Sequence, residues 1–409
     1  MTEKYGDSGE ELVPDSIILI EDSSELAAIC ESFSDETYIT VDTEFMREST
    51  YWPILCLVQI AGSKSAAVID AMAPGIDLDP LLRLFKNRNI LKVFHAGRQD
   101  LEIFYYLMGE LPAPVFDTQV AAMVCGFGDS VGYDTLVAKL TRAKIDKSSR
   151  FTDWSARPLR PRQIEYAIGD VTHLRTVYEK LAALLHENGR ESWLAEEIDT
   201  LTKPQTYDPD RRKVFQRIKT RVTSPRVLAV LREVAAWREE EAQTRNLPRN
   251  RLLRDESLLE IAHHAPKTVD DLARTRGLGR RMADGDTGQR ILAAVARGVA
   301  VPNDECPQPP AGHDRNRDRG PVTDLLKVLL KLRCSDAGVA QRLVASAEEV
   351  EVIAAQAEHA DVPALCGWRR EVFGEHALKF MRGKIALAAN NGNLVTIVVD
   401  ADAKVSRKP

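Results

Sequence analysis

YITVDTEF, residues 38–45, is the stretch whose reading decides the fold. Ile39, Val41, Thr43 and Phe45 alternate with polar positions, which predicts a half-buried strand. Strand side chains repeat every two residues, so Asp42 and Glu44 project together from the other face. Two carboxylates this close repel each other and lose hydration when buried. A cation between them relieves both costs, and a divalent metal is the obvious one. An isolated D-x-E is equally readable as a solvated edge-strand face, so the surrounding chain has to decide.

Outward from this strand, the N-terminal half alternates strands with helices, the pattern of an α/β domain. A short strand at residues 15–20 precedes a helix opened by Asp22 and Glu25. Residues 55–60 are apolar almost throughout, as a central strand is. Gly62 to Ser65 turn the chain into a third strand at 66–70. A helix over 78–85, a strand over 90–94 and a helix over 99–108 follow. Asp100 lies near the start of the last, where free N–H groups favour an anion. Residues 115–118 pass from a strand end into a helix over 119–124. A glycine-containing loop over 126–133 leads to a helix through Leu140. Residues 147–160 are irregular and carry Arg150, Phe151 and Trp154. Pro161 opens a long helix to about Leu185.

That helix places Tyr166 and Asp170 four residues apart on one face. Ile164, Ala167, Ile168, Val171 and Leu174 make its buried side, so Asp170 borders an apolar surface, an expensive place for an unpaired charge. A metal, an arginine partner or a solvated position would each resolve that cost. Asp42, Glu44, Asp100 and Asp170, with no histidine cluster, favour hard cations such as Mg²⁺ or Mn²⁺ over zinc. Such a set can hold two divalent ions about 3.5–4 Å apart, an arrangement suited to phosphoryl hydrolysis.

Composition narrows the remainder. The chain has 409 residues, enough for two or three domains. A formal net charge of -6 gives no global nucleic-acid signature, although a local basic surface can hide beneath it. The 6 cysteines are widely and irregularly spaced, without a C-x-x-C pair, which argues against a thiolate zinc site and fits a reducing cytoplasm. The first dozen residues are expected to fray. They lack an apolar signal core, and no later run reaches transmembrane length, so a cytoplasmic protein away from membranes is expected.

The second half reads as helical. Residues 193–207, with Lys203-Pro204, look like a linker. A basic start at Arg211, Arg212, Lys213, Lys219 and Arg221 leads to helices over 225–240, 255–264, from 268, and 286–298. Basic residues outnumber acidic ones over 203–297, a surface attractive to phosphates or simply solvated. Residues 302–320 are rich in Pro, Asp and Arg and read as a flexible joint. A second helical unit begins near Val322, with helices over 338–343, 346–358 and 377–384. The apolar tail 385–399 reads as a helix followed by a short strand. The predicted division is therefore 1–200, 208–299, a linker at 300–320, and 321–409.

Three ordered motifs carry a resemblance. VDTEF holds Asp42 and Glu44, KVFHAGRQDLEIF holds Asp100, and QIEYAIGDVTHL holds Tyr166 and Asp170. Together they resemble the ribonuclease D family, in the tyrosine-bearing DEDDy branch of the DEDD 3′–5′ exonucleases. FDTQ at 116–119 and the loop around Tyr133 extend the likeness. WREEEAQTRNLPRNRLLRDESLLEIA resembles the HRDC helical module, and the C-terminal helices resemble a second, HRDC-like unit. The resemblance implies a ribonuclease H-like mixed sheet flanked by helices, then two helical domains.

The resemblance also implies roles. Asp42 should bridge two metals, Glu44 and Asp170 complete the tighter site, and Asp100 serve the second, chiefly through water. Tyr166 should orient the nucleophilic water, since a phenol with pKa near 10 is a poor general base at neutral pH. Phe45 and Met46 are candidates to wedge against the terminal base, with core packing the other reading of Phe45. Arg47 and Arg150 are candidate phosphate contacts. His95 is either structural or a substrate contact, and Gln99 faces either sugar or solvent. The implied activity is a monomeric exoribonuclease that releases nucleoside 5′-monophosphates from single-stranded RNA 3′ ends, with transfer-RNA precursors the expected substrates. A DNA 3′–5′ exonuclease and a catalytically inactive nucleic-acid-binding scaffold are the alternatives.

Overall fold

The computed structural model describes residues 17–146, 148–150, 152–208, 210–220, 222, 224–309 and 320–399. The expected fraying of the first dozen residues lies outside these, as do Asp15, Ser16, Lys147, Phe151, Pro209, Arg221 and residues 310–319 of the expected joint.

The N-terminal half is a six-stranded mixed sheet in the order β1-β4-β3-β2-β5-β6. Its strands are β1 (Ile17–Ile20), β2 (Tyr38–Met46), β3 (Ile54–Ala61), β4 (Ala66–Asp70), β5 (Leu91–Phe94) and β6 (Val115–Asp117). The helices are α1 (Ser23–Ser32), α2 (Asp79–Lys86), α3 (Arg98–Met108), α4 (Thr118–Val124), α5 (Tyr133–Thr141), α6 (Pro161–Glu187) and α7 (Glu191–Leu201). Asp22 caps α1 by accepting from the N–H groups of Ser24 and Glu25. The tight Gly62–Ser65 turn makes β3 and β4 an antiparallel hairpin.

The sheet separates two apolar layers. Val41, Val58 and Ile60 pack with Phe85, Phe94 and Phe104 on one face. Leu57, Ala61 and Val68 pack beneath Ala167, Ile168 and Val171 of α6 on the other. Thr40 Oγ1 donates to the Val171 carbonyl at 2.7 Å, fixing α6 over β2. β2 pairs with β5 only over Tyr38–Thr40, whereas it pairs with β3 from Thr40 to Met46. Beyond Thr40, one edge of β2 is therefore free of strand partners, and the chain leaving β5 enters α3 there. That geometry opens a cleft beside Asp42.

Two helical clusters follow. The first is built on α8 (Pro225–Thr244) with helices at Asp255–His264 and Asp286–Ala300, around Leu231, Trp237, Leu258 and Ile291. The second is built on a helix at Gly320–Ala337, around Leu329, Ile353, Trp368 and Phe373.

Four expectations are corrected. Residues 193–207 are not a linker, because α7 runs through most of them and only the short turn Pro204–Thr206 follows. The apolar residues of α7 serve different cores. Leu194 packs with the α4–α6 layer, Ile198 and Leu201 reach the opposite layer, and Trp193 stacks on Trp368 of the last cluster with centroids 4.4 Å apart. The tail is not helix then strand but an antiparallel hairpin, Ile385–Asn390 with Asn393–Val398. Asn391 and Gly392 at its tip both have positive φ, 49° and 81°, the conformation a two-residue hairpin turn requires. Helices expected at 338–343 and 346–358 are shorter, at Gln341–Val344 and Ala347–Gln356. No helix among the described residues is long and apolar enough to cross a membrane, and the cysteines are free thiols.

Candidate active site

β2 carries Asp42 and Glu44 on the α6 side, and α6 brings Asp170 down to them. One carboxylate oxygen from each of these three residues lies within 4.8 Å of the others. Asp170 is buried on its apolar helix face, while Asp42 and Glu44 are half-buried at the cleft. Burial, reinforced by Asp170, Asp100 and Glu44, drives the Asp42 carboxyl well above the ordinary carboxylate range. Burial and then Asp170 and Asp100 push Glu44 up to about 9, against the pull of the Arg150 guanidinium. Burial raises Asp170 to about 7, opposed by the Tyr166 hydroxyl and by Arg150. A cluster that resists ionisation this strongly is short of positive charge, and its hard oxygen donors fit Mg²⁺ or Mn²⁺.

Asp100 stands beside the trio rather than within it. It is buried in the first turn of α3, where its carboxylate accepts a hydrogen bond from the Thr43 hydroxyl. Burial raises it to about 6, with the Thr43 bond holding it down. Thr43 points away from Asp42 and Glu44 on the strand, so Asp100 approaches from the free edge of β2. Tyr166, one helical turn before Asp170, is raised far above the ordinary phenol value by burial and by Asp170 and Glu44. Its hydroxyl therefore stays protonated at any physiological pH.

Residues 17–186 match the 3′–5′ exonuclease family and residues 227–295 match the HRDC domain family. The ribonuclease D of Gluconacetobacter diazotrophicus is 52% identical over 373 residues, covering 91% of this chain and 95% of that one. The ribonuclease D of Zymomonas mobilis is 45% identical over 389 residues, covering 94% and 99%. The chain belongs to the ribonuclease D family. The crystal structure of Escherichia coli RNase D, described as an exoribonuclease involved in structured RNA processing, aligns with a TM-score of 0.75 at 29% identity. It covers 89% of this chain and 98% of its own. The Trypanosoma brucei RRP6 catalytic core, 22% identical with a TM-score of 0.51, shares the fold. Membership of the ribonuclease D family makes the chain a 3′–5′ exoribonuclease, a hydrolase of phosphodiester bonds.

The cleft at Asp42 and Asp170 has a volume of about 280 Å³ and is lined by His95, Gln119, Tyr133, Arg150 and Tyr166, among others. Arg150 is exposed, close enough for its charge to act on Glu44 and Asp170. His95 both lines the cleft and is held in place, with Nδ1 3.0 Å from Thr118 Oγ1 and its ring against Tyr133. Gln99 is exposed on the first turn of α3. Phe45 and Met46 are half-buried at the end of β2, and Met46 packs with the α6 layer. Arg47 lies elsewhere. It forms two bonds to Glu102, at 2.6 and 2.9 Å, and lines a separate cavity of about 430 Å³ with Arg217, Arg238 and Arg249.

That second cavity adjoins the seam between the sheet domain and α8. Tyr51 Oη donates to Glu239 at 2.5 Å, and the Arg249 guanidinium lies 4.7 Å from the centre of the Tyr51 ring. The backbone N–H groups of Tyr51 and Trp52 both donate to Asn246 Oδ1, at 3.1 and 3.0 Å. Many arginines of the helical unit are committed to acidic partners, among them Arg249 to Glu239, Arg290 to Glu241 and Arg280 to Asp270. Each such pair cancels one basic and one acidic residue, so the basic surplus read from the sequence is left unchanged by them.

Residues to which the sequence assigns no role also shape the site. Tyr133 Oη donates to the Asp170 carbonyl at 2.7 Å, bracing α6 at its ligand. Buried Asp117 accepts from the N–H groups of Gly97 and Gln119, both at 2.8 Å, and so ties the turn before α3 to the start of α4. The FDTQ segment contains Asp117 but carries no signal of this bracing role. In the sequence Thr43 has the signature of a strand residue alone.

Proposed function

We propose that this ribonuclease D is a divalent-metal-dependent enzyme that removes single nucleotides from RNA 3′ ends and releases nucleoside 5′-monophosphates. The observation that carries this reading is the convergence of Asp42, Glu44 and Asp170 within 4.8 Å, with Asp100 alongside. Asp42, Glu44 and Asp170 would hold one divalent ion, and Asp42 with Asp100, the latter chiefly through water, would serve a second. When bound, such ions activate water and neutralise charge on the phosphate. The Tyr166 hydroxyl, protonated throughout, orients the attacking water and accepts no proton. Water adds to the terminal phosphorus and gives its proton to solvent, the bond to the penultimate 3′ oxygen breaks, and that oxygen takes up a solvent proton and leaves as a hydroxyl. Arg150 at the mouth neutralises the scissile phosphate on entry, and Phe45, Met46, His95 and Gln99 border the terminal nucleotide.

The same reading divides the chain into a 1–200 nuclease domain, a 208–299 HRDC domain, a 300–320 joint and a 321–409 HRDC-like domain. The helical domains guide single-stranded 3′ tails to the cleft, and precursors of transfer RNA present such tails on a structured body. All five catalytic side chains come from one chain, which supports action as a monomer. Free thiols suit the reducing cytoplasm. The test uses 5′-end-labelled RNA with a duplex body and a short 3′ overhang, with and without Mg²⁺ or Mn²⁺. The reading predicts a one-nucleotide ladder that stalls near the duplex, 5′-monophosphate products, and no cleavage in EDTA. Internal fragments, 3′-phosphate products or full activity in EDTA would overturn it, and preference for matched DNA would reassign the substrate.

A further inference from the structure

Asp42 has a neighbour across the sheet that the acidic site leaves unused. β3 runs antiparallel to β2 with Gln59 opposite Asp42 and Leu57 opposite Glu44. Directly opposed residues point to the same face, with Cβ atoms about 4.5–5.5 Å apart. Leu57 and Ala61, two residues either side of Gln59, both pack beneath α6, which puts Gln59 on the Asp42 and Asp170 face. Gln59 is 0% exposed, and among the described residues neither Nε2 nor Oε1 has a hydrogen-bond partner. A buried amide with both ends unmet is costly, and an apolar side chain of the same size would be cheaper in its place.

We propose that Gln59 is a positioning residue for Asp42, donating its carboxamide N–H to a lone pair of the Asp42 carboxylate that bound cations would leave free. The inference rests on the metal-ion reading above. An ionised carboxylate offers about four lone-pair directions, more than its cations occupy. The Thr43 backbone N–H pulls the Asp42 carboxyl down from one side. Gln59 supplies a donor from the β3 side, inside the sheet, where water has no access. Partners of this kind set ligand orientation and raise ion affinity. Because Gln59 does not line the cleft, it acts on the ion through Asp42 and makes no contact with RNA.

The test compares the full-length wild type with Gln59→Leu and Gln59→Met, both close in volume and without a donor. Mn²⁺ affinity is read by calorimetry, and Tm is read in EDTA and in Mn²⁺. The expected result is a Tm in EDTA equal to or above wild type for at least one variant, with Mn²⁺ binding weakened about tenfold. Unchanged Mn²⁺ affinity in the variants, beside a wild type that binds normally, would overturn the role of Gln59 alone. A sharp fall of Tm in EDTA for both variants would make Gln59 a structural residue and also overturn it. A wild type that binds no Mn²⁺ would overturn the metal-ion reading itself.

Discussion

The Thr43 hydroxyl donates a hydrogen bond to the Asp100 carboxylate, joining β2 to the first turn of α3 across 57 residues of sequence. This bond sets where the fourth acidic group stands. Asp42 and Glu44 face α6, and Asp100 reaches their strand from the opposite side, at the edge that β5 leaves free. Thr43→Val keeps the shape of the side chain and removes the donor. It is expected to raise the Mn²⁺ concentration needed for half-maximal RNA hydrolysis about tenfold, as loss of a ligand-orienting partner does. A metal titration of the hydrolysis rate checks this.

Asp170→Asn should affect activity and stability in opposite directions. Hydrolysis falls by about 10²–10³-fold or more, since a carboxylate that would hold the charge-stabilising ion is lost. Without metal at pH 8, the variant loses a buried carboxyl whose ionisation is opposed by burial. Its Tm in EDTA should therefore rise by a few degrees, about 2–4 °C for each kcal/mol gained. A melt in EDTA beside a single-turnover assay measures both signs.

Stability without metal should fall as pH rises. Asp100, Asp170 and Glu44 are raised in the folded chain to about 6, 7 and 9, above the ordinary carboxylate values that apply when unfolded. The folded state then binds more protons than the unfolded state, so the slope of stability against pH is negative. The contribution is fully present below about pH 4 and is lost progressively through pH 6 to 9. Divalent ions compete with those protons, so the Tm increment from Mn²⁺ should grow over the same range. Melts from pH 5 to 9, in EDTA and in Mn²⁺, read both trends.

Tyr166→Phe separates holding the ion from using the water. The phenol stays protonated and lies beside Asp170 without belonging to the carboxylate trio. Turnover should drop about 10²-fold or more while Mn²⁺ affinity changes less than about threefold. Rapid-quench kinetics with calorimetric Mn²⁺ titration decide this, and unchanged turnover would remove the role.

What the sequence revealed followed from periodicity and local chemistry. The period-two pattern around Asp42 and Glu44, the i,i+4 spacing of Tyr166 and Asp170, and the Asp22 cap are all local rules, and each has its counterpart in the structure. α7 was hidden because its apolar residues divide among three cores instead of forming one stripe. The terminal hairpin had its signal in Asn391-Gly392, which was overshadowed by the apolar run on either side. Thr43, Tyr133, Asp117 and Gln59 matter through partners far away in sequence. No window of residues shows that Tyr133 meets the Asp170 carbonyl 37 positions later.

The central claim is that Asp42, Glu44, Asp100 and Asp170 together bind divalent ions. Anomalous diffraction from crystals soaked in millimolar Mn²⁺ tests it most directly. The predicted result is one strong peak ligated by Asp42, Glu44 and Asp170, and a second shared by Asp42 and the Asp100 side. No peak among these carboxylates, in crystals whose cleft is open to solvent, would contradict the account.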